Sequence, residues 1–458
     1  MTTTSERPVP ASSPDLPPVE RRAAIPPGFR AGGLAAGIKA SGRPDLAVVV
    51  TTAGPAAAAA VFTPNTFAAA PVRLSKAHLA ATSGDPRGGF GWADAIISTS
   101  GSANAATGAA GDVDQAEIAT MLAAATNVPV ERTLHLSTGI IGTRLPLKTV
   151  RAGLGTLIRT LTDGDAGLLA AAEALRTTDS VVKVATTTVE LPDDAGRPVR
   201  VTVSGIAKGV GMIHPRMATM LSVVLTDATV APEVLWGLLR PAAARTWDQL
   251  SVDGDTSTND TVFVLASGTS AAAPAGAGSA SAGVLGAAIE AIARDLARQQ
   301  AADGEGASTL ITASVTGALD DAEARAVARA VVSSSLVKAA AHGRDPNWGR
   351  LAGAAGNARL ADAAVLEAAG LSADEAAARA GTPAVLDPDR LRISIAGHLV
   401  FDGRVSGPVA FDRVAAREAM SVPEVVFALD LGLGTGRGEA FGCDLTEAYV
   451  IENSEYTT

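Results

Sequence analysis

The sequence predicts a mixed fold, α/β or α+β, assembled from short strands and helices. Three observations carry this. Short apolar runs with strand character recur along the chain, bounded by turn residues. Longer Ala- and Leu-rich segments of helical length lie between them. The two kinds of segment do not follow the regular βαβ rhythm of a doubly wound sheet, and there is no internal repeat.

Taken in order, residues 1–24 are rich in Pro, Ser, Thr and Glu and read as a disordered tail, so ordered sequence is expected from Ile25. Strands are expected at Leu46–Thr51, Ala59–Phe62 and Ala95–Ser98, a helix across Asp114–Ala125, and a strand at Thr133–Leu136. Helical segments follow near Leu147–Leu161 and Ala166–Leu175, then strands at Val181–Val189, Val199–Val203 and Met220–Thr226. A helix is expected near Pro232–Leu250. The low-complexity stretch Ala272–Gly283 reads as a flexible surface loop or linker. Beyond it come a helix at Val284–Ala302, a strand at Thr309–Val315 and a helix at Asp320–Ala341. Strands near Leu391–Ile395, Val425–Leu429 and Ala448–Ile451 close the chain.

Composition narrows the function. The 458 residues exceed one ordinary core, and 47% of them are hydrophobic against 18% charged, so a large buried interior is available. The net charge is −10 with no basic block, which argues against a nucleic-acid surface. Cys443 is the single cysteine, so no disulfide within the chain and no CxxC metal site can form. The five histidines are scattered and form no HExxH pair, which argues against a zinc enzyme. No stretch reaches the roughly 18 apolar residues of a membrane span. The opening residues lack the apolar run of a signal peptide, so the expected compartment is the cytoplasm.

The most informative segment is Lys208–Thr226. A loop with Gly209 and Gly211 leads through Pro215 to Ala218 and Thr219, and an apolar strand follows at once. This sets a small hydroxyl residue at the mouth of a buried strand, where glycines let backbone and ligand come close. By itself the segment is equally what a turn before a core strand looks like. A threonine is a weak nucleophile unless a base activates it, and its own α-amine can serve only after the preceding peptide bond is cut. Other motifs carry nothing. Gly432–Gly438 does not have GxGxxG spacing, and the SxxK matches at Ser180 and Ser335 are joined by neither SDN nor KTG.

The segment resembles the nucleophile signature of the ornithine acetyltransferases, KGxGMIxPxMATML. Further segments agree in the family's order: Gly28–Gly33, Ser137–Gly142, Thr177–Asp179, Ser257–Thr261, Asp345–Arg350, Phe441–Thr446 and Asn453–Thr458. The likeness runs from Ile25 to Thr458. It implies a layered αββα-like fold shared with self-cleaving aminopeptidases. It also implies cleavage between Ala218 and Thr219, giving an α chain (residues 25–218 after the tail) and a β chain (219–458) that stay interleaved.

The resemblance assigns Thr219 as the nucleophile and Thr138 and Gly139 as the oxyanion pair. Thr177, Lys208, Thr219, Glu305, Asn453 and Thr458 become substrate contacts. The implied reaction is ping-pong transfer of acetyl from N-acetylornithine to glutamate, with no metal or organic cofactor, in an α2β2 heterotetramer. Some members of the family also take acetyl-CoA as donor. Three departures stand out. The family's NSGNANAC reads Thr99–Ala106 here, so two amides and a cysteine are lost. Arg216 replaces the more usual Asn, and Leu310 follows Ser308-Thr309 where a Lys is common. These point to an altered acceptor preference. A paralogue acting on another N-acyl amino acid, a related hydrolase and an unprocessed binding protein are the alternatives the sequence leaves open.

Overall fold

A computed structural model describes residues 16–214, 220–405 and 407–454. Among these, two sheets stack face to face. One has four strands in the spatial order Phe29–Leu34, Leu46–Thr51, Ala95–Ser102, Thr133–Ile140. The other has six, in the order Phe90–Ala93, Ala56–Phe62, Thr261–Ala266, Leu221–Thr226, Pro198–Lys208, Lys183–Pro192.

The two-residue period of a strand sorts side chains between cores. Ala47 and Val49 join Ile96, Leu134, Ala58, Val223 and Phe263 in the core between the sheets. Their neighbours Leu46 and Val48 face the other way, onto Ile118 and Leu122 of the helix Gly108–Thr126 and Val150 and Leu154 of the helix Leu147–Leu157. On the six-stranded sheet, Phe263 and Leu265 point inward. Val262 and Val264 pack outward, against Leu235 and Leu239 of Pro232–Arg245 and Ile292 and Leu296 of Ala280–Ala302. The layers therefore run helix, sheet, sheet, helix, the αββα arrangement that the resemblance implies. A seven-stranded sheet built around Leu310–Ala318 completes the fold and buries Val315 and Phe427 against Val327 and Val331 of the helix Asp321–Ser333. No helix among the described residues is long and apolar enough to cross a membrane.

Several expectations change. The tail read from composition as far as residue 24 is shorter: Glu20 exchanges backbone hydrogen bonds with Thr186 at 2.8 Å, and Thr187 Oγ1 donates to the Pro18 carbonyl. Residues before 16 lie outside the described ones. Ala272–Gly283 is not a free linker. Ala275 donates to the Thr229 carbonyl at 2.8 Å, Ala272 and Ala275 are buried, and the long helix already begins at Ala280 behind a Ser279 cap. Small residues there permit close packing rather than flexibility. The helix expected across Asp320–Ala341 is two, because Ser334 ends the first and caps the second. The closing strand at Ala448–Ile451 is instead part of a helix, Glu447–Ser454, with Val450 and Ile451 exposed on it.

Candidate active site

The strand Pro198–Lys208 ends in Lys208, paired in register with Leu221 at the start of the strand that follows the glycine loop. The strand Thr133–Ile140 of the other sheet ends nearby, and Lys208 Nζ donates to Thr138 Oγ1 at 3.3 Å. This contact joins the two sheets at one rim. Around it opens a cleft of about 120 Å³ lined by Thr138, Gly139, Thr177, Lys208, Glu305 and Asn453, all six predicted from the sequence. Met220 and Leu221 also line it. Thr219, Ala218, Arg216 and Thr458 lie outside the described residues, but the described chain resumes at Met220, one residue beyond Thr219.

Glycines shape the floor. Gly139 has φ +125° and sits opposite Gly101, and a Cβ on Gly139 would fall 2.4 Å from the Gly101 carbonyl carbon. No larger residue fits there without moving the backbone. Gly211 matters for a different reason: a Cβ there would lie 2.1 Å from Glu305 Oε2 and would push the carboxylate from its place. The glycine lets the Glu305 carboxylate lie against the loop that precedes the predicted nucleophile.

Glu305 is held by neutral donors. Thr178 Oγ1 donates to Oε1 at 2.8 Å and Asn453 Nδ2 to Oε2 at 3.0 Å. No cation among the described residues lies within ion-pair distance of it, so its charge is oriented but not neutralised. Lys208 stands on the opposite account. It is nearly buried, and its ammonium is 4.0 Å from Asp179 Oδ2. Burial pulls its pKa below the ordinary lysine value, with Asp179 opposing that shift.

Asp179 is the hub beneath the cleft. It accepts from Lys183 Nζ at 2.7 Å, from the Gly209 amide at 2.7 Å and from the Thr177 amide at 3.0 Å. Burial alone would raise its pKa; Lys208, Lys183 and these donors overcome that and hold the carboxyl well below the usual carboxylate range. Lys183, fully buried, reaches a second carboxylate, Asp303, at 2.6 Å. Both pKa values move down, which favours the charged form of Asp179 and disfavours that of Lys208, and the difference reflects unequal support: the carboxylate has several donors at close range, the ammonium one hydroxyl and a carboxylate 4.0 Å away.

Sequence reasoning named the Thr177–Asp179 motif but gave a site role to Thr177 alone. In the structure Thr178 orients Glu305 and Asp179 organises two lysines. Thr177 lines the cleft, and its carbonyl accepts from Arg43. The lost amides also change meaning. Thr99 bonds Ser137 Oγ at 2.9 Å and Ser102 donates to the Thr143 carbonyl at 2.8 Å. Both are buried framework contacts outside the cleft lining, so they do not support the altered acceptor preference read from them.

The profile of the ArgJ family matches residues 30–458. "Arginine biosynthesis bifunctional protein ArgJ" of a Synechococcus strain is 43% identical over 433 residues, 94% of this chain and 96% of that one. The protein of the same name from Thermus thermophilus is 41% identical over 438 residues, 95% of this chain and 98% of that one. A crystal structure of ornithine acetyltransferase with ornithine, from Mycobacterium tuberculosis, is 38% identical and covers 44% of this chain and 99% of that one, at a TM-score of 0.38. On the family profile and the near full-length identity to curated relatives, this chain belongs to the ArgJ family.

Proposed function

We propose that this enzyme transfers an acetyl group from N-acetylornithine to glutamate through an ester on Thr219, after cutting its own chain between Ala218 and Thr219. The observation that carries the reading is convergence. Residues scattered from Thr138 to Asn453 line one cleft, beside the point where the described chain resumes after Thr219. The cleft offers an ammonium at Lys208 for a carboxylate and an unneutralised carboxylate at Glu305 for an amine, the two charges an ornithine-like donor presents in reverse.

In the self-cleavage, the Thr219 hydroxyl attacks the Ala218 carbonyl carbon. A C–O bond replaces the C–N bond, the nitrogen takes the proton, and water then hydrolyses the ester. The freed α-amine becomes the general base. It takes the hydroxyl proton as Thr219 attacks the acetyl carbonyl, and passes that proton to the departing amine of ornithine. The amine of glutamate then attacks the acetyl ester and regenerates Thr219. Thr138 and Gly139 would stabilise the oxyanion formed at each attack.

The sheet order supports survival of the cut. Divided at residue 218, the six-stranded sheet reads α, α, β, β, α, α, with Ala56–Phe62 paired to Thr261–Ala266 and Pro198–Lys208 to Leu221–Thr226. The reading extends to an α2β2 heterotetramer in the cytoplasm, which size measurement of the purified protein tests.

The central test is intact mass. Incubated with N-acetylornithine and no acceptor, the piece that begins at Thr219 should gain one acetyl group, located on Thr219 after acid quench. Acetyl on Lys208 instead, or none, overturns the ester.

Two further results follow from the geometry. Thr138→Ala should lower kcat by about 10²-fold with little change in KM, because an oxyanion donor acts in the transition state. A raised KM with unchanged kcat would make Thr138 a ground-state contact. The second concerns pH. Lys208 loses its proton below the ordinary lysine pKa of about 10.4, and only its charged form attracts a carboxylate. KM for the carboxylate-bearing substrates should therefore rise with pH before that value is reached. Lys208→Arg should abolish this limb, since guanidinium stays charged. An identical pH profile in the arginine variant would detach Lys208 from carboxylate binding.

A further inference from the structure

A second cavity, about 560 Å³ and open to solvent, lies apart from the cleft. The helix Asp321–Ser333 and the segment from Asn357 to Leu366 form its walls. Its charged lining residues are Arg325, Arg329, Arg359 and Asp362, with His214 beside them. Most are visibly engaged. Arg329 Nη1 donates to the Asp248 carbonyl at 2.6 Å and Arg359 Nη1 to the Gly381 carbonyl at 3.1 Å. Asp362 caps the helix Ala363–Ala368 by accepting from the Val365 amide. His214 Nδ1 lies 3.0 Å from Ser251 Oγ.

Arg325 differs. It is only 8% exposed, yet among the described residues its guanidinium makes no hydrogen bond and has no carboxylate within 4.0 Å. Asp321, Asp320 and Glu290 act on it from farther away, and the charge of Arg245 opposes them. A guanidinium carries five N–H donors and stays charged at any physiological pH. Its nitrogens keep a trace of contact with the open cavity, but holding a charge mostly out of water without a protein acceptor is still costly. The partner that best relieves this is an oxyanion, which accepts two parallel hydrogen bonds from the planar fork. Ala322, Ala326, Leu360, Val365 and Leu366 give the rest of the wall an apolar face.

We propose that Arg325 anchors a second binding site, separate from the acetyl-transfer cleft, for a small oxyanion (a carboxylate or a phosphate) with a short apolar body. The site stands on the geometry around Arg325 and does not depend on the reaction assigned to the cleft.

The test uses the purified protein in a zwitterionic buffer, titrated separately with inorganic phosphate and with butyrate by calorimetry. Wild type should bind one probe or both, and which one binds separates the two sources of oxyanion. The binding should persist in Lys208→Met, which removes the cation of the cleft. It should weaken by about tenfold or more in Arg325→Gln, the loss expected for a charged hydrogen-bond pair. Binding of neither probe, binding unchanged by Arg325→Gln, or binding abolished by Lys208→Met overturns the site. Thermal melting without any anion guards against a folding artefact. Arg325→Gln should melt at the wild-type temperature or above it, because an uncompensated buried charge has been replaced by a neutral amide. A clearly lower melting temperature would mean that the guanidinium already has a structural partner, and the proposal fails.

Discussion

Thr219→Ala is expected to leave one unbroken chain with acetyl transfer lowered on the order of 10⁶-fold in kcat, the scale seen when other covalent nucleophiles are removed. Alanine has no oxygen to attack the Ala218 carbonyl, so the first step of the cut is lost with the second function of the same atom. A denaturing gel and intact mass read the cut; release of ornithine from N-acetylornithine reads the transfer. The two readouts separate the roles. Thr219→Ser keeps a hydroxyl and should still be cut. A Thr219→Ala protein that appears in two pieces would place the cleavage chemistry elsewhere, and one that turns over at the wild-type rate would remove Thr219 from the reaction.

The second large effect is expected at Asp179. Asp179→Ala strips the close carboxylate from Lys208 and one of two from Lys183, both in a nearly dry interior. Breaking a buried pair by deleting one partner costs about 3–5 kcal/mol, since the remaining charge stays desolvated. In a chain of this size that corresponds to a fall in Tm of roughly 3–5 °C. The pH dependence has a definite sign. The carboxyl is held below its unfolded value, so its contribution is present above about pH 4 and is lost as pH falls through the lower folded value. The gap in Tm between wild type and Asp179→Ala should be widest near neutrality and close in acid. A gap that widened in acid would show that the charge pair is not its source. Because the same carboxylate positions Lys208, KM should rise in the variant at temperatures where it remains folded.

Much of the fold was legible where strand signals are strong. Leu46–Thr51 was read to the residue because four of its six residues are Val or Leu, and Leu221–Thr226 to within one. Ala56–Phe62 was read short, since a run of alanines carries no strand preference of its own and only its neighbours Thr261–Ala266 and Phe90–Ala93 fix it. Gly436–Cys443 was not read as a strand, because its glycines carry no strand preference. Its glycines are there because the helix Asp321–Ser333 crosses them closely: a Cβ at Gly438 would lie 2.6 Å from the Arg325 amide nitrogen. The site was legible wherever a motif names its residue, as at Lys208 and Glu305. Asp179 was not, because its meaning comes from Asp303, 124 positions farther along the chain, through a lysine that touches both. Nothing in the local pattern of a Thr-Thr-Asp run announces such a partner.

Under the proposed cut, pieces of two chains would alternate within the six-stranded sheet, and that would change what unfolding means for this enzyme. An uncut chain loses and regains its structure as one molecule, with the closure of the segment between the two central strands included in its connectivity. A cut enzyme that melts releases separate strands of one sheet into solution, and their reunion becomes a second-order encounter. Its transition then depends on protein concentration, as for any dissociating assembly. Under the proposed cut, the two-chain form is reached by way of the intact one, because strand 198–208 pairs with strand 221–226 while the twelve residues 209–220 still join them. Such a protein is held together less by its equilibrium than by the history of its folding, and once fully denatured it has lost the covalent link that assembled it.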